Sequence, residues 1–143
     1  MKIHFLFNDI KPINLNNSQK ITTIGKFARK YKTDESKVFE SNINNQLRKF
    51  KNEINKFNKY YDKSNCYINA DYRFYMPILL KDKSRVSKRS GDLSNLVKNL
   101  EDTIFKHLHA DDGEVVNLNV TKIESKAIRI EVDLELKSMC HIN

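Results

Sequence analysis

The segment Cys66-Tyr67-Ile68-Asn69-Ala70-Asp71-Tyr72-Arg73-Phe74-Tyr75-Met76 decides the fold, because its side chains alternate in character along its length. A period of two is typical of a β-strand, in which successive side chains point to opposite faces of the sheet. One face would carry Ile68, Ala70, Tyr72, Phe74 and Met76. We therefore predict a strand at residues 66–76, central in its sheet.

Further strands and two helices are predicted on either side of this segment. The predicted strands are residues 2–7, 115–123 and 127–136, with an irregular hairpin at 20–32. Apolar residues at three- and four-residue spacing predict helices over 35–60 and 93–108. The order β-(β)-α-β-α-β-β predicts an α+β fold, with a mixed β-sheet covered by two helices. Residues 1–143 are expected to form a single domain.

The chain is basic, and its cations are clustered. A net charge of +8, from 26 basic and 18 acidic residues, predicts a polyanionic partner, although a solubilising surface charge would account for the total alone. The clustering of the basic residues favours a polyanionic partner. We call residues 81–90 the basic segment. Its candidate phosphate-binding residues are Lys81, Lys83, Arg85, Lys88 and Arg89. A second candidate patch contains Lys26, Arg29 and Lys30.

The sequence also argues against a membrane protein and against a structural zinc site. No run approaches the ~20 apolar residues that a spanning helix needs. The first residues alternate like a strand and do not resemble a signal peptide, so a cytoplasmic location is expected. Cys66 and Cys140 have no metal-type spacing, and the four histidines form no ligand set.

Acidic side chains stand at both ends of the second predicted helix. Asp92 begins it, and Asp111-Asp112 follow it before Gly113, whereas Lys98 and Asp102 share one helical stripe with Asn95. Each feature has an ordinary structural explanation. Asp92 can be an N-cap, Lys98 and Asp102 can be an (i, i+4) ion pair, and Asp-Asp-Gly is a common turn.

Taken together, these residues suit phosphodiester hydrolysis. Mg²⁺ prefers carboxylate oxygens, polarises a phosphate and generates hydroxide from water. Asp92 with Asp111 or Asp112 would supply the ligands. Lys98 would offset the charge that builds up on the phosphate in the transition state.

The stretch Gly91-Asp92-Leu93-Ser94-Asn95-Leu96-Val97-Lys98, then Asp102, then Asp111-Asp112-Gly113-Glu114-Val115-Val116, resembles the motif of the RusA-type Holliday junction resolvases. That family has Asp-x-Asp-Asn-x-x-Lys, an aspartate further down the helix, and Asp-Asp before a valine-rich strand. The specific part of the resemblance is confined to residues 88–116. Over the rest of the chain, the order of elements is similar.

The resemblance implies a homodimeric, Mg²⁺-dependent endonuclease, with Mn²⁺ as a possible substitute, that cuts four-way DNA junctions. By position, Asp92 and Asp112 would be metal ligands, Asp111 would lie beside the metal and Lys98 would be the catalytic cation. Asp102 would hold Lys98 or support the site. The basic segment would bind backbone phosphates. Two symmetrical cuts in a nearly two-fold substrate also favour a dimer.

One position departs from the family motif, which has a second aspartate where this chain has Ser94. A serine hydroxyl binds Mg²⁺ weakly and carries no charge. Glu101 or Asp102 compensates, or activity is reduced, or the protein binds junctions without cutting them. Asp102 is better placed on the helical stripe than Glu101. An interaction protein unrelated to DNA, with the acids as caps and turns, is a third hypothesis.

Overall fold

The computed structural model describes residues 1–13, 19–24 and 27–139. The strands are β1 (Lys2–Asn8), β2 (Gln19–Ile24), β3 (Phe27–Lys32), β4 (Cys66–Met76), β5 (Val115–Glu124) and β6 (Arg129–Ser138). The α-helices are α1 (Asp34–Leu47), α2 (Lys51–Tyr60) and α3 (Leu93–Phe105). Short 3₁₀ turns cover Arg48–Phe50, Lys88–Ser90 and Asp112–Glu114.

The main sheet has four strands in the order β1-β6-β4-β5. Strand β4 runs antiparallel to β6 and parallel to β5, and β1 runs antiparallel to β6. The predicted mixed sheet, with residues 66–76 as an inner strand, is therefore confirmed. Strands β2 and β3 form a separate antiparallel hairpin, with Ile21 opposite Lys30. The α+β fold is confirmed as well.

The hydrophobic core lies between one face of the sheet and the helices. Strand β4 contributes its apolar set, and alternate residues of β1 and β6 extend the same face. The strand residues buried there are Ile3, Phe5, Phe7, Ile68, Ala70, Tyr72, Phe74, Met76, Ile130, Val132, Leu134 and Leu136. The helices cover this face with Phe39, Ile43, Leu47, Ile54, Phe57, Leu96, Val97, Leu100 and Ile104.

The first predicted helix, residues 35–60, is interrupted. The 3₁₀ turn Arg48–Phe50 separates α1 from α2, and Phe50 leaves helical geometry at φ −105°, ψ 18°. The Phe50 ring packs edge-on against Phe5, with ring centroids 5.2 Å apart, and against Phe7 at 6.4 Å. A single uninterrupted helix was therefore the wrong prediction. The break accompanies the packing of Phe50 on β1.

Helix α3 is anchored on α1 and on the sheet. It ends at Phe105, three residues earlier than predicted, although Leu108 is still buried. Leu93, the first apolar residue of this helix, is exposed. On the buried face, the Asn99 amide donates to the Ser36 hydroxyl over 3.4 Å. This contact fixes α3 beside the start of α1, where the Thr33 hydroxyl caps the first turn.

None of the helices in the described ranges has the length and the apolar character that a membrane span requires. The cytoplasmic location stays a prediction.

Candidate active site

Lys98 joins helix α3 to the turn that follows it. Its Nζ lies 3.1 Å from Asp102 Oδ1 and 3.3 Å from Asp112 Oδ2. All three side chains are partly exposed, at 50%, 45% and 34% respectively. Hydrogen bonding, first to Asp102 and then to Asp112, raises the pKa of Lys98, so the ammonium stays charged at neutral pH. The predicted (i, i+4) pair is present, and Asp112 completes a cluster of three.

Asp92 occupies the N-cap position of α3, as expected from the sequence. Its backbone is extended, with φ −84° and ψ 140°, and its carbonyl accepts from the Leu96 amide over 3.0 Å. Within the described residues, the Asp92 carboxylate makes no capping hydrogen bond to the helix amides. Its contact is a long one, 3.5 Å from Asn95 Nδ2. Helix capping therefore does not occupy this carboxylate.

The turn at Asp111–Glu114 is held by a capping box and by a tyrosine. Asp111 Oδ1 accepts from the Gly113 amide over 2.7 Å, and Glu114 Oε2 accepts from the Asp111 amide over 3.0 Å. The Tyr61 hydroxyl donates to Glu114, at 2.5 and 2.7 Å from its two oxygens. Partial burial, reinforced by Glu114, raises the pKa of Tyr61 to about 12. This network fixes the backbone that presents Asp112 to Lys98.

Glu101 belongs to the interior of the protein. It is only 9% exposed, and its Oε2 accepts from the Tyr72 hydroxyl over 3.0 Å. Burial raises the pKa of Glu101, because desolvation disfavours the ionised carboxylate. Of the two acids considered as substitutes for the missing aspartate, Asp102 is the one that contacts Lys98.

Glu101→Gln is expected to change how stability depends on pH. A carboxyl whose pKa is raised by folding stabilises the native state below its unfolded-state pKa of about 4.5, and this contribution is lost as pH rises through the folded-state pKa. Glutamine keeps an acceptor for Tyr72 and does not ionise. As pH rises from 4.5, the unfolding free energy of wild type should therefore fall relative to that of Glu101→Gln. Urea denaturation across a pH series measures this, and parallel curves would contradict it.

The predicted metal ligands are not gathered into one cluster. Contacts join Lys98, Asp102 and Asp112, whereas Asp92 lies six residues before Lys98, about 9 Å along the helix axis. Among the residues that the structure describes, no group of three or more His, Cys, Asp or Glu side chains is arranged to hold a metal ion. Ser94, at the family's second aspartate position, is exposed in the first turn of α3. The oxygen donors suit Mg²⁺, which often takes one or two carboxylates and keeps several waters.

The basic segment forms a compact loop between β4 and α3. A β-bridge pairs Leu79 with Val86, and the Leu80 amide donates to the Arg85 carbonyl over 2.9 Å. All five predicted cations of the segment are exposed: Lys81, Lys83, Arg85, Lys88 and Arg89. Of the second patch, Lys26 lies outside the described residues. Arg29 and Lys30 fall in β3, and their side chains also lie outside the described part.

Lys122 is a site residue that the sequence reasoning missed. Its Nζ lies 2.8 Å from Ser90 Oγ and 2.8 Å from the Gly91 carbonyl oxygen, next to Asp92. Gly91 has φ 85°, a left-handed conformation that favours glycine. Lys122 pairs with Phe74 on the helix-covered face of the sheet. A lysine at an apolar-face position of a predicted strand was the available signal.

Comparison with known proteins assigns the family. No curated protein matches the chain. The family model described as endodeoxyribonuclease RusA matches residues 9–135, which include the basic segment, the Lys98 cluster, strands β4 and β5 and most of β6. The chain therefore belongs to the RusA endodeoxyribonuclease family.

Proposed function

We propose that this protein is a Mg²⁺-dependent, structure-selective endonuclease that resolves four-way DNA junctions by paired phosphodiester hydrolysis. The observation that carries the proposal is the position of Lys98 between Asp102 and Asp112, in a chain of the RusA family. A charged lysine within a group of carboxylates, beside an exposed basic loop, fits a site that acts on phosphate.

The carboxylates of Asp92 and Asp112 are the residues we expect to hold Mg²⁺, with Asp111 beside them. When bound, the ion supplies a polarised phosphate and a hydroxide nucleophile, and Mn²⁺ can replace it. Asp92 is available because helix capping does not use its carboxylate, and Asp112 because it is partly exposed. One carboxylate oxygen of Asp111 already accepts a hydrogen bond from the Gly113 amide, which favours a place beside the metal for Asp111 over a place as a main ligand.

Lys98 is proposed to stabilise the negative charge that develops on the phosphate during cleavage. Asp102 and Asp112 keep its ammonium protonated and aimed toward the end of α3 that faces the Asp111–Glu114 turn. A preorganised cation needs little rearrangement as charge develops, and this is the origin of its catalytic value.

The basic segment is proposed to bind DNA backbone phosphates. Its five exposed cations stand directly before α3, so a strand held by them would pass Asp92 and Lys98. Phosphate contacts orient the protein on DNA without reading the base sequence. An enzyme that recognises the shape of a junction requires contacts of this kind. We also propose that the active form is a homodimer, because two symmetrical cuts need two sites related by the junction axis.

The test is cleavage of synthetic four-way junctions with Mg²⁺, Mn²⁺ or a chelator. Wild type should make symmetrical nicks that depend on the metal, and Asp92→Asn should lose them while still binding junctions. Asp34→Asn is the matched control, since Asp34 is also an exposed acid at the start of a helix, α1. Failure of wild type to nick junctions that it binds would refute the catalytic proposal.

Ser94→Asp should raise the cleavage rate at limiting Mg²⁺. The added carboxylate restores the family's acid in the first turn of α3, where the helix dipole also favours negative charge. Activity plotted against Mg²⁺ concentration should shift to lower concentrations. The control is Ser94→Asn, because asparagine has nearly the same shape as aspartate but carries no charge. Ser94→Asn should behave like wild type. Identical Mg²⁺ dependence in Ser94→Asp and Ser94→Asn would contradict the prediction.

A second candidate function is a junction-binding protein of the same fold that does not cut. Ser94, and the lack of a three-acid metal cluster among the described residues, favour this alternative. Its junction affinity should fall steeply as salt rises, because phosphate neutralisation releases counterions. Tight, salt-sensitive binding without nicking in either metal would select it. Binding without any dependence on salt would exclude both DNA functions.

A further inference from the structure

Strand β5 carries residues that contact both ends of the loop containing the basic segment. This loop leaves β4 after Met76 and enters α3 at Asp92. At its entry, Glu124 Oε2 accepts from the Ile78 amide over 2.6 Å and from the Leu79 amide over 3.0 Å. At its exit, Lys122 reaches Ser90 and Gly91. These two side chains are two residues apart on one strand.

The exit contact is the more protected of the two. Ser90 is only 5% exposed, and its hydroxyl accepts from Lys122 while donating to the Ser87 carbonyl over 2.7 Å. The Ser87 amide in turn donates to the Ile78 carbonyl over 2.7 Å. Lys122 therefore begins a chain of hydrogen bonds that crosses the loop from exit to entry.

The same strand also adjoins the candidate active site in sequence. Strand β5 starts at Val115, directly after the turn that presents Asp112 to Lys98. It pairs with β4 from Val115 to Glu124, so it is a stiff element. Two contacts thus join the region of α3 to that of β5: Lys98 of α3 contacts Asp112 just before β5, and Lys122 of β5 contacts Gly91 just before α3.

We propose that Lys122 is a positioning residue of the endonuclease: it fixes the exit of the basic segment and, through Gly91, the place of Asp92 relative to Lys98. Its role in catalysis rests on the proposed function. Its role in holding the loop does not. Loss of the ammonium leaves a buried hydroxyl and a carbonyl without their donor, which favours opening of the loop.

The test compares Lys122→Met with Lys122→Arg and with Lys126→Met. Lys126 is an exposed lysine in the turn after β5, so its replacement removes the same charge nearby. The first readout is limited trypsin digestion, because the basic segment contains five trypsin sites. Nicking at residues 81–89 reports the fraction of molecules with an open loop.

Lys122→Met should increase nicking at residues 81–89 about tenfold, with little change at Lys49 and Lys51 in the helical region. Lys122→Arg should restore most of the protection, and Lys126→Met should match wild type. Unchanged nicking in Lys122→Met, or equal acceleration at Lys49 and Lys51, would overturn the proposal.

The second readout is junction cleavage under single-turnover conditions. Lys122→Met should lower the cleavage rate at saturating DNA by about tenfold or more, and should change the DNA concentration that gives half of the maximal rate by a smaller factor. Loss of a phosphate contact would instead mainly weaken DNA binding. An effect on half-saturation alone would overturn the positioning role. If wild type cuts no junction, the proposed function fails and positioning for catalysis fails with it, but the trypsin result still decides whether Lys122 holds the loop.

Discussion

Lys98→Met is expected to lower the rate of junction cleavage about 100- to 1,000-fold, the usual effect of removing one preorganised group that stabilises transition-state charge. Methionine preserves much of the side-chain length but carries no charge. Asp102 and Asp112 would then lose their shared cation, and their mutual repulsion would move them apart. Single-turnover cleavage of a labelled four-way junction measures the effect.

Junction binding should change far less than cleavage in Lys98→Met, because five exposed cations of the basic segment remain. Lys106→Met is the matched control, since Lys106 is an exposed lysine directly after α3. It should cleave within a few-fold of wild type. A Lys98→Met enzyme that cuts as fast as the Lys106→Met enzyme would remove Lys98 from the mechanism.

Phe5→Ala should destabilise the fold by about 3–5 kcal/mol. Phe5 is fully buried on β1, stacked on Phe7 with ring centroids 6.0 Å apart and packed edge-on against Phe50 at 5.2 Å. Its removal leaves a cavity where β1 meets the break between α1 and α2. Single domains are stable by only about 5–15 kcal/mol, so much of the folded population would be lost. Urea denaturation measures the change.

The control for Phe5→Ala is Val38→Ala on the outer side of α1. Val38 is 59% exposed, so the change should stay within about 0.5 kcal/mol. A loss below about 1 kcal/mol in Phe5→Ala would mean that this part of the core rearranges to fill the cavity.

Much of the fold could be predicted because it depends on local periodicity. The alternation at residues 66–76 was sufficient for β4, and the apolar stripe of residues 39–57 identified the buried side of α1 and α2. The break at Arg48–Phe50 could not be predicted, since the helical pattern continues through it. Only the position of β1, which receives the Phe50 ring, gives the break a reason.

The candidate site was predictable as a set of residues, and less so as an arrangement. The sequence grouped Asp92, Lys98 and Asp112 through a motif, and helix geometry paired Lys98 with Asp102. The roles of Asp92 and Asp111 as metal ligands, the Mg²⁺ requirement and the homodimer stay predictions. Asp111 proved to cap a turn, and Glu101 proved to be buried against Tyr72.

The sequence by itself determined most of the elements, the clusters of acidic and basic residues and the resemblance to the family, because periodicity and spacing are properties of a continuous stretch of chain. The tertiary structure alone decided that Asp112 reaches Lys98 and that Lys122 holds Gly91. Both contacts join residues far apart in the chain. They exist because α3 packs beside β5, and neither strand alternation nor helical spacing encodes which elements become neighbours.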